Sequence, residues 1–263
     1  MGAASRQALR SAIESLDSAK KVTVATGEQL LTVSRTVQGS AQLRGILADD
    51  AIPAPEKTAL VGRVFPGLGS AAAAVLSEVV GSRWSDGESL VAGVEELGIR
   101  ATARGDGHTK AIERELFAFS RIVAGDAQLE LALGSKLADP VAKAGVVDAL
   151  LGGKAHEGTI AIVDHLVRSP RGRRIGSMFA FAADVVSAAG GRRIATVTTA
   201  VPLTDTQQAR LAAALAERHD TDFQLNLIVD PDVLGGVRVQ FGGDVIDGTV
   251  AARMIDLRLQ LAG

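Results

Sequence analysis

Cysteine and tyrosine are both absent from this sequence. Without cysteine there is no disulfide, no thiolate metal site and no Cys nucleophile. Aromatic side chains are scarce, one Trp and seven Phe. That argues against single-strand nucleic-acid binding, in which bases stack over aromatic rings. Charge is nearly balanced, and a net −2 at pH 7 exerts no whole-molecule pull on nucleic acid or anionic lipid. No apolar run approaches the roughly 18 residues of a membrane span. The most apolar stretch, Met178 to Ala189, is interrupted by Asp184. Met1 to Arg6 lack the basic and apolar regions of a signal peptide, and Ser5 stands one place early for a myristoylation motif. A soluble, cytosolic chain with no direct membrane insertion is expected.

What is present suffices for real cores. Of 263 residues, 47% are hydrophobic and 22% charged, the balance of a folded chain long enough for two or three compact units. Up to about residue 190 the apolar residues recur at helical period. Ser5 is placed to cap a first helix reaching Ala19, and further helices fit 26–38, 40–49, 54–65, 70–83 and 86–105. Pro53, Pro55 and Asp139-Pro140 stand where helices start, because proline lacks only an amide that the first turn leaves unused.

An internal repeat organises this region. Leu30, Ser34, Arg35, Val37, Gly39, Ala41, Gln42, Leu43, Leu47, Lys57 and Val61 recur 86 residues later as Leu116, Ser120, Arg121, Val123, Gly125, Ala127, Gln128, Leu129, Leu133, Lys143 and Val147. These identities run without a gap, which implies two copies of one helical bundle. Two copies are too few for an open solenoid, which needs three or more units to bury a continuous core.

After Gly190-Gly191 the period changes to two. Arg193 to Val201, Phe223 to Val229 and Val237 to Phe241 read as strands. Thr204 and Gln207 form a capping box for a helix to about Arg218 that buries Leu211, Ala214 and Leu215. A last helix from Thr249 carries Val250, Met254, Leu257 and Leu261 on one face. The fold class expected is mostly α: two duplicated helical-bundle units, 1–105 and 106–190, followed by a small C-terminal α/β domain, 191–263.

No motif carries chemistry. Gly152-Gly153-Lys154 is followed by Ala155 where a phosphate loop needs a hydroxyl, and it follows a helical pattern, so it reads as a helix-to-helix turn. The four histidines, His108, His156, His165 and His219, have no local metal-ligand spacing and read as surface or half-buried residues. Arg168, Arg171, Arg173 and Arg174 read as a solvated helix end, or else as a surface for an acidic partner. Asp230, Asp232, Asp244 and Asp247 lack the pattern of a calcium loop and read as turn caps. No catalytic residue, cofactor, metal or small-molecule substrate is expected.

Three strings then stand out: Thr198 to Thr204 with Pro202 inside it, Val229 to Val239 with Asp230, Pro231, Gly235 and Gly236, and Gly243 to Thr249 with Asp244, Asp247 and Gly248. In order and spacing they resemble the C-terminal signature of the delta subunit of F-type ATP synthase, the family of the oligomycin-sensitivity-conferring protein. Residues 110 to 190 resemble that family's helical domain more loosely. The extra helical copy before them resembles the longer delta chains of actinobacteria. The resemblance implies a non-catalytic stator subunit on the cytoplasmic face of the cell membrane. It also implies two partners, the N-terminal segments of alpha subunits for the helical domain and a b-type stalk subunit for the C-terminal domain. An apolar stripe left over after core packing would form a partner groove: Ile160, Val163 and Val167 in the second copy, Val75 and Val79 in the first.

Overall fold

The computed structural model describes residues 1–135, 138–219, 222–231, 233, 235–241, 244–250 and 254. Contacts divide the chain into two compact units, Met1–Val186 and Ser187–Gly263. The first holds α1 (Ala3–Ser18), α2 (Val24–Gly39), α3 (Ala41–Ala48), α4 (Ala54–Val64), α5 (Ser70–Gly81), α6 (Gly87–Asp106), α7 (Thr109–Gly125), α8 (Ala127–Gly134), α9 (Pro140–Leu151), α10 (Glu157–Arg168) and most of α11 (Ile175–Ala189).

The starts of these helices follow side-chain chemistry. Thr23 caps α2 in a reciprocal box with Thr26, Ser40 caps α3, Asp86 caps α6, and Asp126 caps α8. Ser5 does not cap α1, whose cap position is Gly2. Ser5 is buried one turn inside the helix, and its Oγ accepts from the Ser85 amide at 2.9 Å. A polar residue at the start of an apolar periodicity can serve a buried partner as well as its own helix end, and here the distant amide wins.

Moving each helix 86 residues on shows how the copies join. Helices α2 to α5 fall onto α7 to α10 within a residue at either end, while α1 falls inside α6, and α6 falls onto the span of α11. Helix α6 is thus the last helix of the first copy and the first helix of the second. Its buried residues ring most of its circumference, among them Leu90, Val91, Val94, Leu97, Ile99, Ala101 and Thr102. A helix apolar on so many sides belongs inside a bundle. Its glycines let neighbours approach closely: a Cβ on Gly98 would come within 2.8 Å of Leu31 Cγ, and one on Gly105 within 2.1 Å of the Thr23 carbonyl carbon. Opposite them on α2, a Cβ on Gly27 would lie 2.4 Å from the Thr102 backbone nitrogen.

Five of the eleven repeat identities are core positions in both copies. Leu30 and Leu116, Val37 and Val123, Leu47 and Leu133, and Val61 and Val147 are all buried. So are Lys57 and Lys143, whose amines donate to backbone carbonyls, Lys57 to Asp49 O at 3.0 Å and Lys143 to Val167 O at 3.2 Å. Buried ammonium groups need such acceptors.

The second unit contains β1 (Arg192–Thr199), α12 (Asp205–His219), β2 (Asp222–Val229), β3 (Val237–Phe241) and β4 (Asp244–Asp247), with sheet order β2-β1-β3-β4. β1 pairs β2 in parallel through a crossover containing α12, and β3 antiparallel. Thr204 and Gln207 make the expected box at the start of α12. Leu215 and part of Leu211 pack on Ala195, Val197, Phe223, Val239 and Phe241, whereas Ala214, expected inside, is exposed. β4 is a fourth strand, held to β3 from Arg238↔Asp247 to Phe241↔Asp244. Asp247 Oδ1 caps the turn that follows, accepting from the Thr249 amide at 3.0 Å. The helix expected beyond Thr249 lies almost wholly outside the described residues, as does Gly243.

Candidate functional site

The stripe expected to stay open on α10 is closed. Val163 and Val167 are fully buried and Ile160 half-buried, and in the first copy Val75 and Val79 are fully buried. Helix α10 packs on α9, α7 and α6 and also on α2, while α5 packs on α1, α4, α2 and α6, so both stripes are enclosed within the helical unit. The contact of α10 with α2 and α6 joins the two copies.

That junction holds a buried ionic network. Glu95 on α6 and His165 on α10 are both fully buried. Glu95 Oε1 lies 3.1 Å from His165 Nε2 and 2.7 Å from Arg173 Nη2, and Glu95 Oε2 lies 2.9 Å from Arg171 Nη1. Arg35 Nη1 lies 2.9 Å from His165 Nδ1. A guanidinium can only donate, so Nδ1 accepts and Nε2 carries the proton donated to Glu95. His165 is therefore the neutral tautomer. Burial pushes its pKa below the ordinary value, against the opposing pull of Glu95. Burial would raise Glu95, but hydrogen bonds from His165 and Arg173 outweigh it and hold the carboxyl at about 2. Arg171 and Arg173 thus have an internal anion, which corrects the reading of these two as solvated or partner-facing, whereas Arg168, paired with Asp164 at 2.8 Å, and Arg174 are exposed as expected. His165 corrects the reading of the histidines as surface residues. Its signal lay in the repeat: Glu95 and His165 stand 86 residues after Leu9 and Val79, so an apolar pair in one copy is an ionisable pair in the other.

A second polar cluster surrounds the α6–α7 turn. Asp106 Oδ1 lies 2.9 Å from His108 Nδ1, and Asp106 Oδ2 accepts from the Gly158 amide at the start of α10 at 2.9 Å. His156 Nδ1 lies 2.7 Å from Glu115 Oε1, whose other oxygen accepts from the His156 amide at 3.0 Å and from the Thr159 hydroxyl. The two imidazoles lie against each other at a tilt of 41°, with centroids 4.8 Å apart. Local spacing gave no hint of this, since the two histidines are 48 residues apart. Between them Gly152-Gly153-Lys154 forms the turn from α9 to α10, with Gly153 at φ 67° and the Lys154 ammonium donating to the end of α9.

In the second unit the three signature strings converge at one end of the sheet. Thr199 at the end of β1 pairs with Val229 at the end of β2 and with Val237 at the start of β3. Asp230 donates its amide to Thr199 O at 2.9 Å, ahead of Pro231, and the Thr199 hydroxyl donates to Val201 O at 2.8 Å, ahead of Pro202. Gly235 and Gly236 have φ of 117° and 86°. A Cβ on Gly236 would lie 2.4 Å from Gly248 O, and Gly248 itself donates to Val237 O at 2.9 Å. Asp244 opens β4 opposite Phe241, and Asp247 closes it. Most of the described residues carrying the resemblance thus build one corner, where Val201, Val229 and Val250 are exposed, while Asp244 stands at the opposite end of β3.

Large exposed apolar residues in the helical unit are concentrated in the second copy: Ile122, Leu131, Val141 and Leu150. The first copy has Thr36, Gly45 and Pro55 at three of those positions and an exposed Val64 at the fourth. Among the described helices none is long and apolar enough to cross a membrane.

Comparison with known proteins agrees with this arrangement. The family described as the ATP synthase delta (OSCP) subunit matches residues 99–261, which is the second helical copy and the C-terminal unit. ATP synthase subunit delta of Leifsonia xyli is 47% identical over 264 residues, covering all of both chains. That of Streptomyces avermitilis is 40% identical, covering 98% of each. Among solved structures, a chain of the Toxoplasma gondii mitochondrial ATP synthase hexamer is 19% identical with a TM-score of 0.45, covering 64% of this chain and 95% of that one. The full-length relatives carry the extra first copy as well. On this match over its whole length, the chain belongs to the ATP synthase delta (OSCP) subunit family.

Proposed function

We propose that the chain is a peripheral-stalk subunit of an F-type ATP synthase, linking the catalytic head to a b-type stalk and keeping the head from turning with the rotor during proton-driven ATP synthesis. Delta is a structural subunit and not a catalytic one. In this reading the helical unit grips N-terminal segments of alpha subunits, and the C-terminal unit grips the end of the b-type subunit. The chain then sits at the cytoplasmic face of the cell membrane through its partners. The observation that carries the reading is the end-to-end match to delta chains at 47% identity.

Two surfaces support it. Ile122, Leu131, Val141 and Leu150 are exposed on the second copy, and exposed apolar side chains of this size mark partner surfaces. We assign the alpha contact to that copy, because the first has small or polar residues at three of the four equivalent positions. The corner bearing Val201, Val229 and Val250 is the corresponding surface for the stalk.

Titration of the full chain with an alpha N-terminal peptide and with a soluble b fragment tests both assignments. Ile122→Asp with Leu131→Asp is expected to weaken only the alpha peptide by tenfold or more, and Val229→Asp only the b fragment. Failure of the unsubstituted chain to bind either partner overturns the proposal.

A further inference from the structure

We propose that Asp106, His108 and His156 form a binding site for a transition-metal dication such as Zn²⁺, stapling the α6–α7 turn to the start of α10. One ligand atom from each of the three residues lies within 4.8 Å of the others, the scale of a single coordination sphere that needs only small side-chain adjustment to close. The site is built by the fold. Asp106 and His108 flank Gly107, whose φ of 79° turns the chain between α6 and α7, and His156 stands at the cap position of α10.

The protonation pattern favours coordination. Both imidazoles direct Nδ1 at a carboxylate, His108 at Asp106 over 2.9 Å and His156 at Glu115 over 2.7 Å. At His156 the Glu115 carboxylate holds Nδ1 and leaves Nε2 as the nitrogen for the ion, while His108 Nδ1 and Asp106 Oδ1 already stand as close together as two ligands of one ion. Glu115 stands to His156 as outer carboxylates stand to histidine ligands at metal sites, fixing the tautomer and raising the basicity of the inner nitrogen. Neither Nε2 is engaged in a hydrogen bond among those described. The rings are accessible, His108 being 64% and His156 34% exposed, while the Asp106 side chain is 6% exposed and pinned by the Gly158 amide.

Charge points the same way, since Asp106 and Glu115 bring two negative charges to the two imidazoles. Donor type narrows the ion. Two imidazoles and one carboxylate suit Zn²⁺, Ni²⁺ or Cu²⁺, whereas Mg²⁺ and Ca²⁺ prefer oxygen shells. Three protein ligands leave a fourth position for water or a side chain of a neighbouring subunit. Because the ligands come from two segments that are distant in sequence, the bound ion stabilises the folded form by mass action.

The test is a thermal melt of the tag-free full chain at neutral pH with Zn²⁺ alone, with Mg²⁺ alone and with chelator. Zn²⁺ is expected to raise Tm saturably by a few degrees, with one ion per chain in calorimetric titration, and Mg²⁺ to leave it unchanged. His108→Ala and His156→Ala should each abolish the Zn²⁺ shift. His108 is exposed enough that its variant should melt in chelator like the unsubstituted chain, which separates loss of the site from loss of fold. No Zn²⁺ shift in the unsubstituted chain, or the same shift in both variants, overturns the proposal.

Discussion

At the scale of single residues, Glu95 holds the most energy at stake. It is the one anion shared by Arg171, Arg173 and His165, and it is fully buried. Removing one member of such a network leaves the others uncompensated, so Glu95→Leu is expected to lower stability by about 3–5 kcal/mol. The same group shapes the acid limb. Its pKa falls from 4.5 to about 2 on folding, which at about 1.4 kcal/mol per tenfold change in proton affinity corresponds to roughly 3 kcal/mol. A depressed carboxylate stabilises fully above its unfolded pKa, and the contribution is lost as pH falls from 4.5 towards 2. His165, depressed by burial, acts in the same direction from its unfolded value of 6.5 downward. Urea melts from pH 7 to pH 3 should therefore show a steep acid loss that Glu95→Gln flattens, and an equal slope in the variant would assign the acid sensitivity elsewhere. Gly236 gives a second test at this scale. Valine there needs φ of 86° and a Cβ against Gly248 O, so Gly236→Val should cost about 1–3 kcal/mol in strain alone and lower the melting of the C-terminal unit.

At the scale of elements, what was legible depended on whether the signal was local. The helices after the first begin within about two residues of their expected starts, because proline, Thr, Ser and Asp announce them. The box at Thr204 was legible for the same reason. What was not legible depended on long-range packing. Ser5 serves the amide of Ser85, 80 residues away, and Val163 and Val167 of the α10 stripe are buried within the bundle. β4 has only four residues, and Asp244 and Asp247 at its ends read as turn residues. Helix α6 is rich in glycine, and Gly98 and Gly105 seat it against α2 and its cap. Gly105→Ala puts a methyl 2.1 Å from the Thr23 carbonyl carbon, backbone that cannot swing aside. The expected cost is about 1–3 kcal/mol, as in other overpacked interiors. Gly39→Ala, where a Cβ meets nothing within 4 Å, serves as the control and should be neutral or slightly stabilising by denaturant melt.

At the scale of the whole molecule, the repeat and the resemblance made the architecture and the family legible: duplicated bundles, a small α/β unit and the delta subunit family. The sharing of one helix was not legible, because α1 and the matching part of α6 have little sequence in common, with Ile13 and Ile99 the sole identity across α1. Core positions survive there only as buried positions, Ser5, Ala8, Ala12 and Leu16 corresponding to Val91, Val94, Gly98 and Thr102. This changes where the chain can be cut. A fragment of residues 1–107 keeps α1 to α6 and with them every helix of the first copy. A fragment of residues 108–190 has α7 to α11 but lacks α6, so the faces of α7 and α10 that pack on α6 would meet water. Losing that partner opens a core that holds Ile112, Leu116 and Ile162, and each such side chain is worth about 1.5–3 kcal/mol when buried, against a domain stability of only about 5–15 kcal/mol. The first fragment is therefore expected to melt cooperatively and the second to lack a cooperative transition by circular dichroism. Extending the second fragment back to Asp86 restores α6 and should restore the transition. If residues 108–190 fold cooperatively without that extension, α6 belongs to the first copy alone and the two bundles are merely adjacent.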